Sequence, residues 1–260
     1  MTDITFADIS EFQSNLDADA YIRGGHRVII VRTYNGSRND HMVPGRITYV
    51  RGKPFVAVGY YCYLESSIDP VSQAKGFINS IPGGLKANEF PILDHEEGGG
   101  NQVPRAEAFL RVTDAWAGFP TTLYAGQSFL DTNLGGTARW GRRPLWIARY
   151  LNSYTPNPAG EPAGNTFWQY SDRQSFPGLS GGNDGSIYHG TAEQFLARVR
   201  AGTAPPKPPP PAPEREFVVA ESGDRTEMFA LLPSGEVQHK WQNRDGGSWS
   251  GWYSLGRPGA

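Results

Sequence analysis

The chain has 260 residues, enough for one barrel-sized domain and a small appendage. Apolar residues make up 38% and charged residues 19%, which fits a folded protein and excludes wholesale disorder. A formal net charge of −2, with no Lys/Arg-rich run to follow phosphates, argues against nucleic acid as a partner.

No apolar stretch approaches the length needed to span a bilayer, so no membrane partner is expected. The opening MTDITFADIS has neither a basic nor an apolar region of the signal-peptide kind. The expectation is synthesis in a cytoplasm, with release arranged by something else if the target lies outside. A single cysteine, Cys62, excludes an intrachain disulfide and is expected to be a buried, inert thiol. Aromatic residues reach 12%, a richness that suits sugar-binding clefts, although core filling competes as the reading for any one ring.

In chain order, β-rich apolar runs predict strands at Ile4–Ile9, Val28–Thr33 and Phe55–Tyr61. A helix follows over Asp69–Ser80, with Asp69 as cap and Pro70 at the first helical position. Next come a strand at Phe90–Asp94 and a helix at Pro104–Ala117, with Ala108, Val112 and Ala115 on its apolar stripe. Strands at Thr122–Ala125, Leu145–Ala148 and Thr166–Tyr170 precede a weaker one near Ser186–Tyr188. The helix Thr191–Arg200, capped by Thr191, closes the series. Alternation of strands with helices predicts a parallel sheet, and eight strands in about 200 residues predict a small (β/α) barrel with shortened helices. An open doubly wound sheet is the alternative. No GxGxxG follows the first strand, so a dinucleotide site has no support and no cofactor is expected.

After residue 202 the composition changes. TAPPKPPPPAPERE, residues 203–216, predicts an extended polyproline spacer between separately folded parts. The expected domains are a catalytic barrel at 1–202, this linker, and a β-rich module at 217–260.

In a parallel barrel the active site gathers at the C-terminal strand ends. Asp8 ends the first strand, Asp94 and Glu96 end the fourth, and Asp184 precedes the last. Side chains two apart on a strand share a face roughly 6–7 Å apart along it, so Asp94 and Glu96 project into one pocket while His95 points away. Two like charges in a partly desolvated cleft resist ionising together, and one pKa rises. A protonated acid beside a carboxylate is what glycosidic cleavage requires. The competing reading of Asp-x-Glu is a pair of solvated loop acids, and GGNDG around Asp184 is a turn signal first. No His/Cys cluster has zinc spacing, and no GxSxG elbow is present.

Residues 3–200 resemble glycoside hydrolase family 25, the Chalaropsis-type lysozymes, which are β-1,4-N-acetylmuramidases. The resemblance rests on motifs in order: FADISEFQ, VIIVRTYNG with Asp40 after it, VGYYCYL, FPILDHEE, LYAG, PLWIARY, WQYSD and GGNDGSIYHG. It implies a flattened (β/α) barrel with an acidic groove. Glu96 would be the general acid/base, and Asp94 would assist, for instance by orienting the substrate's 2-acetamido group. Asp8, Asp184, Tyr61, Tyr124, Trp146 and Trp168 would line the groove and contact sugar. The family often has Tyr-His-Phe where this chain has Tyr61-Cys62-Tyr63. Alternation puts Cys62 on the opposite face from both tyrosines, so the change is expected to alter packing behind the carboxylates.

The tail, ending WQ…WSGWYSLG, looks like a single blade of a β-propeller lectin-like repeat. A lone unit of this size buries its faces poorly, and repeat folds usually need several copies. The expectation is a homo-oligomer formed through residues 217–260, giving multivalent binding to bacterial peptidoglycan. An enzyme joined to a wall-targeting module without an export signal resembles a phage endolysin. Two other functions stay open, a chitinase-like glycosidase and a non-catalytic cell-wall carbohydrate-binding protein.

Overall fold

The structure is a computed structural model that describes residues 3–13, 15–151, 155–201, 216–222, 225–232, 236–243 and 248–257. The chain divides into two compact units, Met1–Pro206 and Lys207–Ala260. Residues 203–215 of the proline-rich run lie outside the described residues.

In the first unit, β1 (Ile4–Ile9), α1 (Ala18–Arg23), β2 (Val28–Asn35), β3 (Arg38–Asn39) and α2 (Val43–Arg51) come first. They lead to β4 (Ala57–Tyr63), α3 (Pro70–Asn79), β5 (Glu89–Asp94), α4 (Val103–Ala117) and β6 (Thr122–Gly126). Then follow α5 (Gln127–Asn133), α6 (Thr137–Trp140), β7 (Leu145–Ala148), β8 (Phe167–Gln174), β9 (Asn183–Tyr188) and α7 (Ala192–Arg200). The sheet runs β1-β9-β8-β7-β6-β5-β4-β2, and β1 pairs with β2 to close it into an eight-stranded barrel; β3 is a short hairpin on β2. The predicted barrel with shortened helices is what forms. Among the described residues the connection from β7 to β8 holds a single 3-10 turn, Pro158–Gly160.

One expectation is corrected. β9 runs antiparallel to both β1 and β8, so the barrel is mixed. Residues 175–182 are too few for the crossover that a parallel neighbour requires, so the chain turns straight back.

Strand alternation sorts the side chains into two cores. Phe6, Ile30, Phe90, Ile92 and Phe167 point inward, and Phe195 of α7 rises into them, its ring 5.1 Å from Phe6, 5.6 Å from Phe90 and 5.0 Å from Phe167. α7 thereby plugs the lower end of the barrel. Its start is fixed by a capping box between Thr191 and Gln194. The outward set, including Ile29, Val31, Val58, Cys62, Leu93 and Leu123, packs under the helices. Asp69 caps α3 as expected, its carboxylate accepting from the Ser72 amide at 2.7 Å. On α4 the expected stripe is misplaced. Ala106, Phe109, Leu110 and Thr113 are buried, while Ala108, Val112 and Ala115 are not, because the larger apolar groups lie one face around.

The second unit is one antiparallel sheet of β10 (Glu216–Ser222), β11 (Arg225–Leu231), β12 (Val237–Asn243) and β13 (Tyr253–Gly256). Across β12 and β13, the rings of Trp241 and Tyr253 stack at 5.0 Å. Among the described residues no helix is long and apolar enough to cross a membrane.

The interior is narrow enough to demand a glycine. A Cβ at Gly59 would stand 2.8 Å from Phe90 Cζ, 2.9 Å from Ile92 Cδ1 and 3.0 Å from Ile30 Cγ1. Gly59→Val is expected to overpack the barrel and cost about 1–3 kcal/mol, read as a lower denaturation midpoint in urea. An unchanged midpoint would show that the interior has slack.

Candidate active site

Above the apolar plug, the inward positions of the same strands turn polar. Phe6 gives way to Asp8 on β1, Ile30 to Arg32 on β2, Ile92 to Asp94 on β5, and Phe167 to Gln169 on β8. These residues line a cavity of about 220 Å³ together with Tyr61, Tyr63, Glu96, Tyr124, Trp146 and Asp184. Asp184 belongs here because β9 is reversed. Its first residues lie at the mouth where the parallel strands end, and Asp184 pairs in register with Asp8.

Of the eight residues singled out from the sequence, seven meet in this cavity. Trp168 does not. It alternates with Gln169 and faces away from the interior, buried against Tyr170 and Ile187, with its Nε1 donating to the Arg149 carbonyl at 2.9 Å. The wall position expected of Trp168 belongs to Gln169, one residue further along β8. Tyr61 and Tyr63 both face the cavity, and Cys62 sits in the outer core, where burial pushes its thiol up.

Gln169 organises one wall. The hydroxyls of Tyr124 and Tyr150 both donate to its Oε1, at 2.8 and 2.7 Å, and its Nε2 donates to Asp8 Oδ2 at 2.9 Å. Arg32 organises the opposite wall. Its Nε donates to Asp40 Oδ2 at 3.0 Å and its Nη2 to Glu11 Oε1 at 2.9 Å, while its guanidinium lies 5.3 Å from the centre of the Phe12 ring. Phe12 itself is 79% exposed at the rim, the kind of flat apolar surface a sugar ring can cover. Arg32, Gln169, Tyr150 and Phe12 were not among the residues expected from the sequence. Arg32 had a signal, a lone charge in the apolar run VIIVRTY at an inward position; Tyr150, beyond the end of β7, had only its place at the end of the motif PLWIARY.

Four carboxyls share this cleft with little to neutralise them. Burial, then the neighbouring Asp184, lifts Asp8 well above the usual carboxylate range. Burial, then Glu96 and Asp8, does the same to Asp94, against the pull of Arg32. Asp184 is raised to about 6 by burial and by Asp172, and Asp8 shares a hydrogen bond with it. Glu96 stands exposed at the mouth, and the surrounding protein, Asp184 and Glu97 raise it as well. The expectation that one pKa rises is therefore replaced. All four rise, and Asp94 is driven strongly because it is enclosed, only 6% exposed. Asp94 Oδ1 is buried with no hydrogen-bond partner among the described residues. His95 points away from the cavity, as alternation predicts, with its ring 5.4 Å from Phe129 and its pKa lowered to about 4 by burial.

The arrangement resists full ionisation of its acids, presents one carboxyl accessibly, and can accept a donor deep in the cleft. It also has a thermodynamic signature. The free carboxyl of Asp184 titrates near 3.8 and the folded one near 6, so folding takes up a proton between those values and stability falls as pH rises through the window. Asp184→Asn is expected to flatten the decline of Tm between pH 4 and pH 7. Parallel Tm curves for the two proteins would contradict the assignment.

The sequence pattern described as "Glycosyl hydrolases family 25" matches residues 7–179. The YegX protein of Escherichia coli (strain K12) is 30% identical over 146 residues, 54% of this chain and 51% of that protein, so the chain spans about half the length of this relative. The N,O-diacetylmuramidase of Arthroderma benhamiae is 25% identical over 211 residues, covering 75% of this chain and 86% of the relative. Among solved structures, the bacterial lysozyme from Streptomyces coelicolor has a similar fold, with a TM-score of 0.65 at 20% identity over 78% of this chain and 100% of that one. The catalytic domain of endolysin ply40 from bacteriophage P40 of Listeria monocytogenes gives 0.63 at 19% identity, over 76% and 98%. The match across most of the barrel is decisive: the chain belongs to glycosyl hydrolase family 25.

Proposed function

We propose that this protein is a muramidase that hydrolyses the β-1,4 bond between N-acetylmuramic acid and N-acetylglucosamine in bacterial peptidoglycan. One observation carries the reading. In a family 25 barrel, an exposed Glu96 stands at the mouth over an enclosed Asp94 whose Oδ1 lacks a partner. An acid that must reach a glycosidic oxygen has to be accessible, and Glu96 is. A buried acceptor without a donor is costly, and a substrate N–H would satisfy it. The 2-acetamido group of an N-acetyl sugar supplies such an N–H.

On this reading Glu96 gives its proton to the departing glycosidic oxygen as the C1–O bond breaks. Asp94 orients the acetamido group beside C1. The Glu96 carboxylate then takes a proton from the water whose oxygen bonds to C1, which restores the acid. Asp8, Asp184, Tyr61, Tyr124 and Trp146 shape the sugar-binding walls, and the surrounding protein, with Asp184 and Glu97 beside it, favours the protonated form of the donor Glu96. This assigns the barrel to residues 1–202, with 203–216 as spacer and 217–260 as a separate module.

The module is read as a wall-binding blade that completes itself by association with copies of the same chain. Val219, Leu231, Tyr253 and Leu255 are 59%, 43%, 51% and 54% exposed, more apolar surface than a lone four-stranded sheet can shield. The organisation, a lytic barrel with a targeting tail, fits a phage endolysin that reaches the wall after another protein opens the membrane.

Glu96→Gln is expected to lower kcat on peptidoglycan by about 100-fold or more while Tm and wall binding stay as in the parent. Mass spectrometry of the parent's digest is expected to show new reducing ends on N-acetylmuramic acid; reducing N-acetylglucosamine would mean a different bond is cut. Light scattering on the full chain is expected to give a multiple of the protomer mass, and a monomer with an ordered tail would exclude the pooled blades.

A further inference from the structure

The first unit holds a cavity larger than the carboxyl-lined one. A space of about 880 Å³ opens beside it, against about 220 Å³ for the cleft that holds Glu96. Its floor is made by Gly126 and Ala148, which pair in register at the ends of β6 and β7. Two residues earlier on the same strands, Tyr124 and Trp146 form a wall of the acidic cleft. Side chains two apart share a face, so the large cavity continues the cleft outward by roughly 6–7 Å.

Its chemistry differs from that of the cleft. Among the described residues none that lines it is aromatic, so they offer no platform for a sugar ring. It has charge instead. Arg149 is exposed, and among the described residues no carboxylate pairs with its guanidinium. The backbone of Arg149 is fixed at both ends, its N–H donating to the Gln169 carbonyl at 3.1 Å and its carbonyl accepting from Trp168 Nε1 at 2.9 Å. Asp131 also lines the cavity, accepting from Gln127 Nε2 at 2.9 Å. The space above Gly126 is open, since a Cβ there would meet nothing within 4 Å.

We propose that this cavity is a subsite for the acidic peptide stem that branches from the glycan, with Arg149 taking a stem carboxylate. The proposal rests on the muramidase reading, which supplies the substrate. A position just beyond the cleft, ample volume, an unpaired cation and no stacking surface together favour a charged peptide over further sugars. Asp131 suits the amine that such stems also carry.

The test compares KM on peptide-bearing peptidoglycan fragments with KM on glycan strands stripped of their stems by an amidase. Arg149→Gln is expected to raise KM about threefold on the peptide-bearing substrate alone, with kcat unchanged, the scale of one exposed ion pair. Gly126→Phe, whose φ of −63° any residue adopts, fills the floor and is expected to produce the same split. Equal changes on both substrates would make this a glycan subsite and overturn the proposal, as would no change in either variant. If the parent cleaves neither substrate, the muramidase reading fails instead. Titration of a free acidic stem peptide into the parent and into Arg149→Glu then still decides the subsite, because equal binding to both would overturn it.

Discussion

The structure depends on crowding like charges where water is scarce. Asp8, Asp94, Glu96 and Asp184 converge on one mouth, and a single guanidinium, Arg32, faces them. Each carboxylate resists the charge of the next, so full ionisation of the cluster is disfavoured. Arg32 is shared with Asp40 and Glu11 in ion pairs, and its pull on Asp94 is smaller than the effects of burial, Glu96 and Asp8. The cleft thus keeps an excess of acid that a fully paired network would have discharged. Stability is spent on a reactive arrangement, and the apolar plug beneath it supplies the rigidity that makes the spending tolerable.

The barrel interior changes character within two residues. Phe6 and Asp8, Ile92 and Asp94, Phe167 and Gln169 are successive inward positions of the same strands. The lower layer fills with rings packed on Phe195, and the upper layer has no helix to seal it. The boundary between solid core and open site is therefore set by α7 from below and by where each strand ends above. Gly59 marks how tightly the lower layer is drawn, since even one carbon there meets three side chains.

Much of this was legible in the sequence because strand alternation and strand ends are local signals. Ile4–Ile9 and Leu145–Ala148 form as expected, and Asp94, Glu96, Tyr61, Tyr124 and Trp146 all reach the cleft. The failures share a cause, in that they depend on partners distant in the chain. The direction of β9 follows from closing the barrel against β1, which no window around Asp184 displays. Trp168 and Gln169 are adjacent and both fit a sugar site by type, but only the register with β7 decides which one faces inward. The ranking of Asp94 and Glu96 depended on depth, and spacing along a strand carries no depth. Tyr150 reaches Gln169 from a loop with no periodicity to read.

The plug formed by α7 has a consequence for any polymer that enters. With the lower end stopped by Phe195, the barrel is a blind cup and has no through-channel. A strand longer than the cup can only lie across the rim, approaching sideways and leaving by the same door. Such a geometry does not need a free chain end and imposes no threading, so, on the proposed muramidase reading, internal bonds of a cross-linked mesh are as reachable as terminal ones. A mesh cut at random internal points loses tensile strength long before it is digested.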